Sequence, residues 1–123
     1  MIYFEMDCAC KGSNLDKMLQ PGILAALYNK KMHGFSIIQK LSENSMFNGN
    51  LPDKAGVYRY LKKMEESGLL VSEWEFDKDN TKPRRVYAIT ERGKHCLGNW
   101  SKALKVYEES IDCLVAEIDS IIG

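Results

Sequence analysis

Lys54, Tyr58, Arg59 and Lys62 recur about one helical turn apart, and the apolar Val57, Leu61 and Met64 between them fall on the other side of the same wheel. Such a helix gathers ammonium, guanidinium and phenol groups on one face. These are the donors that phosphate oxygens, and the acceptor-rich base edges of a DNA major groove, can take. Glu65 and Glu66 follow at the far end, which concentrates positive charge toward the N-terminal part. An ordinary solvated helix face also carries Lys and Arg, so a second basic cluster matters. Lys78, Lys82, Arg84 and Arg85 supply one a few residues downstream, diluted by Asp77 and Asp79. On a hairpin tip these side chains could lie along phosphates or enter a minor groove.

Two other features could carry chemistry. Cys8-Ala9-Cys10 offers a pair of thiolates for a soft metal or for oxidation. A zinc site asks for four ligands, however, and His33, His95 or Cys96 would have to approach from elsewhere, so no metal or cofactor is assigned. Trp100 is a large aromatic whose spacing alone places it at a heptad position of a helix seam. No glycine-rich phosphate loop, paired-His motif or nucleophile with a recognisable base occurs, so an enzyme is not expected.

The elements that must position these groups follow from periodicity. A helical stretch over about Leu15 to Asn29 is predicted, with Ser13 and Asp16 in capping-box spacing and a break near Gln20 ahead of Pro21. Met32-His33-Gly34 turns the chain, with His33 as a structural hydrogen-bonding residue, and Phe35, Ile37, Ile38 and Leu41 mark a short helix to about Glu43. Asn48 to Pro52 is a loop. Asp53 then caps a third helix running to Ser67, which Gly68 terminates. Leu70, Trp74 and Phe76 alternate with Val71, Glu73, Glu75 and Asp77, the repeat of a half-buried strand that places Trp74 in the core. Lys78 to Pro83 is the hairpin loop, and Arg84 to Thr90 returns as the second strand of a two-stranded wing. Leu97, Trp100, Leu104, Tyr107, Ile111, Leu114, Ile118 and Ile121 then alternate by three and four, a heptad stripe that asks for a partner surface. Leu104, Tyr107, Ile111, Leu114 and Ile118 are the expected dimerisation residues. The apolar positions flanking the seam, among them Ala103 and Val115, suggest broader packing onto the N-terminal helix.

With 123 residues there is room for one domain and little beyond it. Lys plus Arg balance Asp plus Glu at 17 each, so the net charge is zero and any nucleic-acid contact must come from local clustering. The N-terminal MIYFEMDCACKGS has no basic region before its apolar residues and does not read as a secretory signal; a cytoplasmic protein with free thiols and no membrane span is expected. The expected architecture is mainly α with a small β-hairpin. An N-terminal segment (residues 1–18) bearing Cys-x-Cys precedes a winged helix-turn-helix (residues 19–90) and a long C-terminal dimerisation helix (residues 91–123).

Four segments in this order and spacing, LQPGILAALYNKKMHGFSIIQKL, PDKAGVYRYLKKMEESGLL, KPRRVYAITERG and WSKALKVYEES, resemble the PadR family of bacterial and archaeal transcriptional regulators, in particular its short-tailed members. The resemblance implies a homodimeric winged-helix repressor of double-stranded operator DNA, with the third helix in the major groove and the wing on the adjacent backbone or minor groove. By match to the family's VYR segment, Tyr58 is expected on a phosphate, Lys54 and Arg59 on base edges or phosphates, with Lys62 beside them, and Lys82, Arg84 and Arg85 at the wing. Ala55-Gly56 stands where many relatives carry Ser or Thr, which removes a hydroxyl donor at this point. WSKALKVYEES further resembles multidrug-sensing members, whose corresponding tryptophan stacks on flat aromatic ligands between subunits, so Trp100 is the expected contact for a hydrophobic or aromatic effector. The alternatives are a winged-helix module that binds another protein, and a thiol- or metal-responsive regulator using Cys8 and Cys10.

Overall fold

The computed structural model describes residues 18–47, 53–76 and 82–123. The chain runs α1 (Leu19–Leu27), β1 (Met32–His33), α2 (Gly34–Glu43), α3 (Lys54–Glu66), β2 (Leu70–Glu75), β3 (Arg84–Ile89) and α4 (Glu91–Ile122). Leu19, Ile23, Leu24 and Leu27 of α1, Ile37 and Leu41 of α2, and Val57, Leu61 and Met64 of α3 meet in one core, closed by Phe47, Leu69, Leu70 and Tyr87. Each stripe follows the three-to-four-residue spacing that turns one helix face inward, so burial selects the orientation of all three helices together.

Both ends of α3 are built as the sequence predicts. Asp53 Oδ1 accepts from the Gly56 N–H at 2.9 Å and satisfies an otherwise unpaired donor of the first turn. At the other end Gly68 takes a φ of 81°, and the Gly68 and Leu69 N–H groups donate back to the Glu65 and Met64 carbonyls, closing the helix and sending the chain into β2.

Helix α1 starts at Leu19, one residue from the expected break at Gln20, with Pro21 in its first turn as expected, where its missing N–H has no intrahelical partner to lose; it ends at Leu27, before Asn29. Ser13 to Asp16 and the Asn48–Pro52 loop lie outside the described residues. Two expectations are corrected. The sheet has three strands rather than two, in the order β1-β3-β2, since Met32 and His33 pair antiparallel with Tyr87 and Val86. Two residues are too few to show a period of two. Trp74 is not core: it is 56% exposed and Phe76 64%. The alternation is right, but burial falls along β2 from Leu70 through the half-buried Ser72 to the exposed Trp74, so only Leu70 on that face reaches the interior.

The long α4 divides by environment. Leu97 and Trp100 pack against the core, while Tyr107, Ile111, Leu114 and Ile118 are exposed on the single chain. Thr90 roots this helix. Its side-chain oxygen accepts from the Gly93 N–H at 3.0 Å, and its hydroxyl donates to the Gly68 carbonyl at 2.7 Å. Gly93 lies so close to the Leu69 carbonyl oxygen and to Ile89 that a Cβ would collide with both, whereas Gly98 faces open space. Among the described residues no helix is long and apolar enough to cross a membrane.

Gly93→Ala is therefore expected to destabilise the fold by about 1–3 kcal/mol through overpacking. Gly98→Ala should stabilise it by about 0.5–1 kcal/mol through helix propensity. Urea unfolding at one fixed protein concentration checks both, and equal effects at the two sites would contradict this account of the α4 root.

Candidate nucleic-acid interface

Between α3 and the β2–β3 hairpin lies a cleft of about 910 Å³, bounded on its third side by the start of α2. Among the described residues its lining includes Lys54, Lys62, Lys82, Arg84 and Arg85 against one carboxylate, Glu65. In a chain of zero net charge this is a local positive field, and concave walls strengthen it. The fold thus brings two basic clusters together that are separated in sequence by the whole of β2.

Tyr58 is half-buried at the floor of the cleft, and its ring and hydroxyl occupy the space that a side chain at position 34 would need. Gly34 opens α2, so its missing side chain lets α3 seat Tyr58 directly on that helix terminus. His33, the residue before it, lies with its buried Nε2 3.3 Å from Glu75 Oε1 but without hydrogen-bond alignment, in contrast to the hydrogen-bonding role expected of it. Arg59 does not line the cleft; it is exposed on the neighbouring surface of α3.

Arg85 is held by several side-chain contacts at once. Its Nε donates to Ser72 Oγ at 2.8 Å, and its Nη2 lies 3.5 Å from Glu65 Oε1. The Ser72 hydroxyl donates in turn to the Glu65 carboxylate at 2.8–2.9 Å. The guanidinium carbon also sits 5.4 Å from the centroid of the Trp74 ring, a cation–π distance. Burial pushes the nearby Tyr87 phenol above its ordinary pKa; the Arg85 guanidinium acts against this shift, and Glu65 and Tyr58 add to it.

Glu65 and Trp74 in the cleft lining, and Ser72 beside them, were not legible from sequence as companions of Arg85. The register Trp74↔Arg85 and Ser72↔Tyr87 puts Ser72, Trp74 and Arg85 on one face of the hairpin, and the signal that could have found Ser72 and Trp74 is that pairing. Trp100 is elsewhere, on α4 against α1, where its indole N–H donates to Gln20 Oε1 at 2.7 Å and the Cys96 thiol approaches the same oxygen at 3.8 Å. Cys8 and Cys10 lie outside the described residues. Among the described residues no three His, Cys, Asp or Glu side chains gather to hold a metal.

A solved structure of TA0346 from Thermoplasma acidophilum, described as a transcriptional regulator, is 30% identical to this chain, with a TM-score of 0.70 over 81% of this chain and 92% of that one. A PadR family regulator from Eggerthella lenta superposes with a TM-score of 0.76 at 22% identity, covering 94% and 96%. PadR from Bacillus subtilis, solved in complex with operator DNA, shares the fold at 20% identity and a TM-score of 0.59, over 68% of this chain and 45% of that one. No protein of curated function matches in sequence. The family model of PadR-like transcriptional regulators matches residues 23–99, from α1 through the first turns of α4, and the chain belongs to that family.

Proposed function

We propose that the chain is a sequence-specific DNA-binding repressor that acts as a homodimer, with residues 19–90 forming the DNA-binding head and residues 91–123 the dimerisation helix. The observation that carries this reading is the basic cleft between α3 and the hairpin, in which, among the described residues, five Lys or Arg side chains surround one carboxylate. In this reading α3 is the recognition helix and enters the major groove. Lys54, Tyr58, Arg59 and Lys62 meet bases and phosphates there, while Lys82 and Arg84 on the wing follow the backbone. That PadR of Bacillus subtilis has been solved with operator DNA supports the assignment. Two heads on one dimer would address successive major grooves about 34 Å apart and repress by occupying the site.

The second copy is proposed because of the apolar stripe on α4. Tyr107, Ile111, Leu114 and Ile118 lie exposed along one side of a helix that continues well beyond the core, and water is a poor solvent for so long a strip. Trp100 and Gln20 lie where this seam begins, and a flat aromatic effector stacked there would bias the separation of the heads and relieve repression.

Binding to a duplex from upstream of the protein's own gene should exceed binding to a random duplex and should weaken steeply with salt. Arg59→Ala should cost the specific complex about 1–3 kcal/mol. No binding to either duplex would reject the reading in favour of a protein-interaction module. By sedimentation equilibrium the wild type should have twice the chain mass and Ile111→Asp should be monomeric; an unchanged dimer in that variant would place the seam elsewhere. In a Trp74→Phe background, titration with a flat aromatic cation should quench Trp100 emission, and a flat titration would remove Trp100 from the effector site.

A further inference from the structure

We infer that Glu65, Ser72 and Arg85 form a clasp that sets the angle between the recognition helix and the wing, with Arg85 acting as a positioning residue and not as a nucleic-acid contact. The inference rests on the DNA-binding reading above and deepens it. The three residues come from three elements: Glu65 from the last turn of α3, Ser72 from β2 and Arg85 from β3. A relay runs from Arg85 Nε–H to Ser72 Oγ and from the Ser72 hydroxyl to the Glu65 carboxylate, and the Arg85–Glu65 approach at 3.5 Å closes it into a ring. Trp74 covers the guanidinium from the wing side.

Two features of the clasp argue for positioning. The guanidinium is held by its Nε–H at Ser72, by Nη2 near Glu65 and by the Trp74 ring, which commits two of its three nitrogens to the clasp. Withdrawing it toward a phosphate would leave Glu65, the one carboxylate among the described residues that line the cleft, facing the phosphate backbone uncompensated. A lone carboxylate in a basic cleft opposes DNA, and its retention is explained if its partner contacts hold the wing at the spacing a groove requires. A relay of side-chain hydrogen bonds that joins separate elements is also stiffer than its separate bonds suggest.

The test turns on a sign. If Glu65 were only a charge in the cleft, Glu65→Ala would tighten binding to the upstream duplex by removing repulsion. The clasp predicts weaker binding, roughly tenfold, the scale on which neighbouring side chains couple. It predicts the same direction for Ser72→Ala, which changes no charge. It further predicts that Arg85→Ala weakens binding while the slope of affinity against salt stays at its wild-type value, whereas loss of a phosphate contact lowers that slope by about one. In a Trp100→Phe background, Trp74 emission should change in Glu65→Ala as the guanidinium leaves its ring. Circular dichroism confirms that each variant folds, and Ser72→Ala decides alone if Glu65→Ala does not. Unchanged or tighter binding by the deciding variant, a slope reduced by about one in Arg85→Ala, or unaltered Trp74 emission would each overturn the clasp. Absence of wild-type binding to any duplex would instead overturn the DNA-binding reading itself, and the clasp's role with it.

Discussion

The inward stripe of α3 is the constraint on which the rest depends. Val57, Leu61 and Met64 are at or within 1% of complete burial, and each such side chain contributes on the order of 1.5–3 kcal/mol relative to exposure. Because a helix turns 100° per residue, sealing those three positions against α1 and α2 leaves Lys54, Tyr58, Arg59 and Lys62 no orientation except outward or into the cleft. The basic face is thus a consequence of the apolar one. The Asp53 cap and the turn at Gly68 then set where that face begins and where the chain leaves it for the hairpin.

A second dependence runs through Thr90. The turn that ends α3, the last residue of the hairpin and the first turn of α4 meet at one side chain, whose oxygen serves the Gly68 carbonyl and the Gly93 N–H together. The close seat of Gly93 on the Leu69 carbonyl makes this joint tight. The long helix is therefore anchored at the exit of α3, and any change in its direction bears first on the segment that connects α3 to β2. Trp100 and Gln20 add a second anchor two turns further along, between α4 and α1.

Zero net charge conceals a strong segregation. The cleft of the helical head gathers Lys54, Lys62, Lys82, Arg84 and Arg85, while beyond Lys105 the last helix carries five carboxylates and neither Lys nor Arg. The cleft and the last turns of α4 thus carry fields of opposite sign. Long-range attraction of a polyanion depends on the near field within a Debye length of about 10 Å, so the total is a poor guide to what the cleft will meet.

The helices, their inward faces, the hairpin and the family are legible along the chain, because these depend on periods of three to four or two and on capping chemistry that act over a few neighbouring residues. The sequence also placed Lys54, Tyr58 and Lys62 on the face that turns out to line the cleft. Tertiary structure alone decided what depends on pairing between distant segments. The register of β2 with β3 brought Arg85 to Ser72 and Trp74, the packing of α3 on α2 brought Tyr58 onto Gly34, and the two-residue β1 became a strand only by finding β3. Trp74 shows the difference most clearly. Local alternation assigned its side of the strand correctly, but whether that side meets core or an open cleft depends on which elements pack over it, and no local pattern encodes that packing.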